Sequence, residues 1–218
     1  MAEEKTKNNN NNYARAQLWR EQNVTVVGLS GKIGSGKTCA AETIQKSFPN
    51  TVVRNFADRL KEEVAMHLEI DLALCYSHDG KNMRLDAYGM TLGEFLQQWG
   101  TRLRDIHPEI WVLAVQSFID ACVKKKASKD EKLIVCIGDC RFPNECMWVN
   151  SVGGIVIRLN GDPGGERARS KRDMSHISET ALDAYQGFDL IVDTNRCDKK
   201  ETAQRILDCI ASQQTLVK

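Results

Sequence analysis

Apolar residues along the chain follow two rhythms. Short unbroken runs stand at Val24–Leu29, Leu133–Gly138, Ile155–Leu159 and Phe188–Val192, with a weaker one at Thr51–Phe56 that Arg54 and Asn55 interrupt. Runs of this kind, bounded by turn residues, are those of strands buried on both faces. Between them the apolar spacing lengthens to three and four, which predicts helices at Lys37–Ser47, Arg59–Leu68, 92–106, Glu109–Val123, Pro143–Val152 and Lys199–Ala211. Local signals mark several starts. Asp58 is a candidate N-cap, Thr91 and Glu94 make a capping box, and Pro108 and Pro143 open helices. Strand and helix alternate five times, so the expected fold class is α/β, a parallel five-stranded sheet with helices on both faces. Ligands of such sheets sit beyond the carboxyl ends of the strands. Residues 70–90 show no clean period and are expected to form an irregular arm.

Composition narrows the class. Hydrophobic residues make up 42% and charged residues 27% of 218 positions, enough apolar material for a real core in one domain, expected over residues 21–218. Residues 1–20, with their run of asparagines, have little to bury and are expected to form a disordered tail. The net charge of +1 offers no global field for a nucleic acid polymer or a membrane surface, so an anionic ligand must be recognised by local clusters. No apolar run approaches the roughly 18–20 residues of a membrane span, and the first residues lack the apolar core of a signal peptide. Eight cysteines without a Cys-x-x-Cys pair, and four scattered histidines, read as reduced thiols of a cytoplasmic protein.

The densest chemistry is GKIGSGKT, Gly31–Thr38, which matches G-x-x-x-x-G-K-[ST] and has the required strand before it and helix after it. Gly31, Gly34 and Gly36 let the backbone curl, so that its N–H groups, those of Lys32 and Ser35 included, point at phosphate oxygens. The following helix adds the positive end of its dipole. Lys37 reaches the β and γ phosphates, and the Thr38 hydroxyl suits Mg2+. ATP and Mg2+ are therefore the expected cofactors. The loop alone leaves kinase, GTPase, motor ATPase and nucleotide switch open. A GTPase base motif of the Asn-Lys-x-Asp type is absent, and the cationic segments described next favour a small-molecule kinase.

The run LIVCIGDCRFPNE, residues 133–145, ends a buried strand in Asp139 and Arg141. Both fall on the sheet edge that carries the phosphate loop. Asp139 is a candidate for Mg2+ or for fixing an arginine, and Arg141 for the transferring phosphoryl group. Arg59 and Lys61, after the second strand, are candidates for an acceptor phosphate or are solvated helix charges. Trp99 and Trp111 are core residues or an aromatic wall for a base, with Arg104 or Arg102 beside them as a phosphate fork. Glycines 161, 164 and 165 precede Arg167, Arg169, Lys171 and Arg172, which suggests a mobile arginine-rich lid at about 160–176 rather than a solvated loop, with His176 and Glu179 anchoring the lid or capping a helix.

In the order GLSGKIGSGKT, FADRLK, QWGTRLRDIHPEIW, GDCRFPNE, HISE and FDLIVDTN, these segments resemble the deoxynucleoside monophosphate kinases of bacteriophages and large DNA viruses, over most of residues 24–195. The resemblance implies a P-loop kinase fold and transfer of the ATP γ-phosphoryl group to a deoxynucleoside monophosphate. It implies Lys37 and Thr38 at the phosphates and Mg2+, Asp139 and Arg141 at the reacting centre, an acceptor pocket around Arg59, Trp99 and Arg104, and a lid from Arg167 to Arg172. The arm at 70–90 has no matching segment. A phosphomevalonate kinase-like enzyme and a regulatory ATPase without acceptor are the alternatives, and a homodimer is an open expectation.

Overall fold

The computed structural model describes residues 2–165 and 176–215. The single domain expected from the length divides into two compact units, Met1–Arg54 with Ile119–Lys218, and Asn55–Phe118.

In the first unit five parallel strands form one sheet in the order β2–β5–β1–β6–β7. They are β1 (Val24–Ser30), β2 (Thr51–Val53), β5 (Leu133–Cys140), β6 (Ile155–Asn160) and β7 (Leu190–Asp193). The fold class read from the alternation of strands and helices is the one observed. β1 lies at the centre, paired with β5 from Val24↔Leu133 to Ser30↔Cys140 and with β6 from Val27↔Ile155 to Ser30↔Arg158. That register brings the last residues of three strands level, which places one site at their common edge. Helices α2 (Lys37–Ser47) and α9 (Lys199–Thr215) pack together on one face, and α7 (Pro143–Ser151) lies against β1 and β6. Val27, Leu29, Ile44, Ile155, Ile157, Leu159, Ile206 and Ile210 are fully enclosed between sheet and helices. Burial of such aliphatic side chains contributes about 25 cal/mol per Å2 of apolar surface and dominates the stability of this unit.

Residues 1–20 are not the expected tail. The chain is helical over Ala2–Glu21 (α1), and its last turns are anchored. Trp19 is buried, donates from Nε1 to Asp120 Oδ1 at 2.9 Å and meets Trp148 of α7 edge to face. Arg15 pairs with the same aspartate at 3.2 Å. One buried tryptophan offers several times the apolar area of the polar residues around it, and that single anchor is easily lost in a composition dominated by asparagine.

The second unit starts earlier than expected. Helix α3 covers Phe56–Leu68, with Asn55 as N-cap and Asp58 folding back onto the Asn55 N–H at 2.7 Å. Asp58 therefore belongs to the first turn, not to the cap, and strand β2 stops at Val53. The stretch 70–90 is not irregular. It holds a 3-10 turn at Leu72–Cys75, helix α4 (His78–Asn82) and a two-stranded antiparallel hairpin of β3 (Arg84–Leu85) and β4 (Met90–Thr91). These elements are too short to display a period, and their order comes from packing. Cys75, Leu92, Phe95 and Leu96 close a second core with Val64 and Ala65. Helix α5 (Leu92–Ile106) begins with the expected capping box: Glu94 N–H donates to Thr91 Oγ1 at 3.2 Å and the Thr91 N–H to Glu94 Oε2 at 2.7 Å. The unit boundary falls within helix α6 (Ile110–Lys125).

Candidate active site

The loop after β1 has the shape that its glycines predict. At Gly31, with φ +152°, a Cβ would meet Ser35 Oγ at 2.3 Å and the Leu159 carbonyl at 2.6 Å, so no other residue fits. Gly36 enters α2 from the left-handed region with φ 92°. Lys37 is the first residue of α2. Its ammonium group donates to the Gly31 carbonyl at 2.7 Å, the Lys32 carbonyl at 2.8 Å and Ser35 Oγ at 3.4 Å. The loop is thus curled around the lysine that is expected to serve the phosphates. Burial, followed by the nearby Arg141 guanidinium, brings the Lys37 pKa down from 10.5 to about 8, with Glu179 and Asp139 opposing. Thr38 is exposed on the first turn of α2.

Two residues outside the motif brace the loop. Thr194, just beyond β7, is buried and donates from Oγ1 to the Ser35 carbonyl at 3.2 Å. Ser30, the last residue of β1, accepts at Oγ from Arg158 Nη1 at 3.0 Å. Arg158 was overlooked in the sequence, although a lone arginine inside the apolar run IVIRLN is itself a signal.

The end of β5 brings Asp139 and Arg141 to the same edge. Glu145, in the first turn of α7, is buried and accepts from the backbone N–H groups of Arg141 at 2.7 Å and Phe142 at 3.1 Å. The acid therefore folds the Phe-Pro turn back upon itself and sets where the Arg141 side chain departs. The Arg141 guanidinium pairs with Glu179 and donates to the Ser178 carbonyl at 3.3 Å. Glu179 lies on a short helix, α8 (Ile177–Thr180), whose N-cap His176 accepts the Ser178 N–H at its Nδ1. Glu179, expected as a lid anchor, and Arg141, expected at the reacting centre, thus meet each other. Gly31, Lys32, Arg141, Arg158, Ser178 and Glu179 line one shallow concavity. The lid residues Arg167, Arg169, Lys171 and Arg172 lie outside the described residues.

Among the described residues no three His, Cys, Asp or Glu side chains gather as a metal cage. Thr38 and Asp139 offer hard oxygen donors on neighbouring elements, and this fits Mg2+, which keeps several waters and takes few protein ligands beside phosphate oxygens.

The second unit holds the remaining candidates. Arg59 is about half exposed and pairs along its own helix with Glu63 at 2.9 Å and Glu62 at 3.7 Å. Lys61 is mostly buried, 3.7 Å from Asp58 and 3.9 Å above the Tyr76 ring centre, and the Tyr76 hydroxyl donates to Asp58 at 2.9 Å. Tyr76 comes from the stretch 70–90. Trp99 stacks on Phe95 at 5.5 Å and tilts against His67 at 5.1 Å. Trp111 is buried and donates to the Gly100 carbonyl at 3.2 Å, a core residue of this unit. Arg102 points outward, 85% exposed, toward Asp105, while Arg104 is half-buried.

No family model matches the chain. It is 27% identical over 194 residues to a protein of Acanthamoeba polyphaga mimivirus named as a deoxynucleotide monophosphate kinase, covering 86% of this chain and 96% of that one. It is 24% identical over 189 residues to a cytidylate kinase of Pyrobaculum calidifontis, covering 87% and 94%. Among solved structures, the tunicamycin resistance protein of Deinococcus radiodurans aligns with a TM-score of 0.46 and 16% identity, over 86% of this chain and 95% of that one. The similarity to the two nucleotide kinases covers 86% and 87% of this chain.

Proposed function

We propose that this chain, a P-loop phosphotransferase of the nucleoside monophosphate kinase type, moves the γ-phosphoryl group of ATP to a deoxynucleoside monophosphate. The observation that carries the reading is the convergence of Gly31 and Lys32 of the phosphate loop with Arg141 and Glu179 on one concavity at the carboxyl edge of the sheet. The identity to the mimivirus protein supports the deoxynucleotide as acceptor.

Transfer of this kind asks the protein mainly to position anions and absorb charge. Lys37 exchanges its carbonyl partners for the β and γ phosphate oxygens. The backbone N–H groups of the loop and the first turn of α2 cradle the same phosphates. Arg141, aimed by Glu145 and Glu179, neutralises charge that develops on the transferring group. Thr38 and Asp139 are the residues that would hold Mg2+, which supplies charge neutralisation between the phosphates when bound. The acceptor phosphate is ionised at neutral pH, so no strong general base is required. In the second unit, Lys61 offers a cation for the acceptor phosphate and the Trp99 ring an aromatic wall for its base, and Arg59 on α3 and Arg104 on α5 are the further candidates for the acceptor.

The test is ADP release from ATP with each of the four deoxynucleoside monophosphates and their ribo forms. Turnover with one or more deoxy forms above their ribo counterparts is the expected result. Turnover only with mevalonate 5-phosphate, or ATP hydrolysis indifferent to any acceptor, would overturn it.

A further inference from the structure

Strand β6 carries a cation where the pattern calls for an aliphatic residue. Its residues Ile155, Val156, Ile157 and Leu159 are fully enclosed, and Arg158 among them is only 8% exposed. A guanidinium is costly to take out of water unless its donors are satisfied. Here Nη1 donates to Ser30 Oγ and Nε to Asn160 Oδ1, each at 3.0 Å, and the group lies 5.6 Å from the centre of the Phe188 ring. These two partners satisfy two of its donors within the strand edge. The register Ser30↔Arg158 sets that charge beside the last residue of β1, immediately before the phosphate loop. It is close enough that Arg158, after burial and Arg141, is among the groups that press the Lys37 ammonium toward losing its proton.

One anion already bridges this place. Asp183 holds Lys32 Nζ through Oδ2 at 2.8 Å and faces Arg158 Nη2 through Oδ1 at 3.7 Å. One carboxylate thus shares its two oxygens between two cations, one of them in the phosphate loop. Asp183 itself is 47% exposed, so it regains water readily when it leaves. The contrast with Arg141 is direct, because Glu179 is almost wholly buried and is built to stay.

We propose that Arg158 binds the polyphosphate of the nucleotide together with Lys32, and that the Asp183 carboxylate bridging these two cations is the anion which the polyphosphate displaces. This rests on Gly31–Thr38 being the donor-phosphate cradle. Arg158 then acts as a fixed cation under the phosphates, pre-organised by Ser30 and Asn160. Asp183 acts as a resident competitor that keeps the two cations apart from other anions and sets the affinity for ATP below its maximum.

The two residues make opposite predictions. ATP binding to the full chain with Mg2+ is measured by calorimetry for wild type, Arg158→Met, Arg158→Lys, Asp183→Asn and Lys37→Ala, with thermal unfolding without nucleotide beside it. Arg158→Met should weaken ATP binding by roughly tenfold or more, the worth of a charge-assisted hydrogen bond. Arg158→Lys should fall between it and wild type. Asp183→Asn should tighten ATP binding by roughly two- to fivefold, the scale of a partly exposed ion pair. A tightening is a result that structural damage does not produce. Should Arg158→Met fail to fold, Arg158→Lys and Asp183→Asn decide the matter. ATP binding unchanged or weaker in Asp183→Asn overturns the displacement, and wild-type affinity in a folded Arg158→Met or in Arg158→Lys overturns the role of Arg158. If Lys37→Ala binds ATP as wild type does, the cradle reading itself falls. If Lys37→Ala loses ATP while the Arg158 and Asp183 variants do not change, only this inference falls.

Discussion

The two units handle charge differently. In the second unit, ion pairs are mainly local and exposed: Arg59 with Glu62 and Glu63, Arg102 with Asp105, each three or four residues apart on one helix. In the first unit, the pairs at the loop join residues far apart in sequence, Lys32 with Asp183, Arg141 with Glu179 and Arg158 with Asp183, and two of the guanidinium groups are largely enclosed. Local exposed pairs contribute well under ~1 kcal/mol each and need no other explanation than a solvated helix face. Pairs gathered across strands at the edge of a sheet carry a desolvation penalty, which a protein tolerates where anions must be bound. At the sheet edge that carries the loop, long-range, largely buried cations therefore mark the site better than the number of basic residues does, whereas the long-range pair of Arg15 with Asp120 anchors α1.

The sharpest way to break that contrast is Lys37→Ala. It should lower kcat by orders of magnitude in the coupled ADP assay while circular dichroism remains that of the folded protein, and near-normal turnover would remove the phosphate-loop argument. Next comes Arg141→Ala, expected to lose at least ~2–3 kcal/mol of transition-state stabilisation in kcat/KM. It should also destabilise the fold by about 3 kcal/mol, because Glu179 is left buried without this cation. Adding Glu179→Gln should recover much of the stability and none of the activity. If the double variant recovers both, Arg141 serves the fold alone.

The Lys37 ammonium yields a pH prediction of intermediate size. Phosphates raise the pKa of a lysine that they contact, so ATP binding should take up protons where free Lys37 titrates, around pH 8 and above. Calorimetry near pH 8.5 in two buffers of different ionisation enthalpy measures the uptake, and equal heats would exclude it. Folding is linked to the same group. The unfolded chain, with lysine near 10.5, binds more protons than the folded one between about pH 8 and 10.5, so the contribution of Lys37 to stability rises with pH across that window. Lys37→Met should abolish that part of the slope.

The smallest effects belong to the second unit. Arg59→Ala should alter unfolding stability by less than ~0.5 kcal/mol, as befits a half-exposed side chain with local partners. Lys61→Ala should raise the KM for the acceptor more than Arg59→Ala does. The reverse order would show that Arg59 leaves its glutamates for the substrate, and burial of a cation would no longer locate ligands in this unit.

Much of this was legible in the chain. Apolar runs of strand length, helical spacing between them and a glycine-rich loop before Lys37 determine the five-stranded parallel sheet and the loop geometry. They do so because burial on both faces and positive φ values admit few residue types. Capping chemistry at Thr91 and Glu94 acts over three residues and was equally readable. Trp19, the short elements of 70–90 and Asp183 were not, since each is ordered or placed by partners far away in sequence. Glu179 meets Arg141, Asp183 meets Lys32 and Arg158, and Trp19 meets Asp120 only after the chain has folded. The sequence by itself determined the architecture and the phosphate loop, through local conformational preference and periodic burial. Tertiary structure alone decided which cations share the site and which carboxylates hold them, because electrostatic pairing depends on distance in space and not on position along the chain.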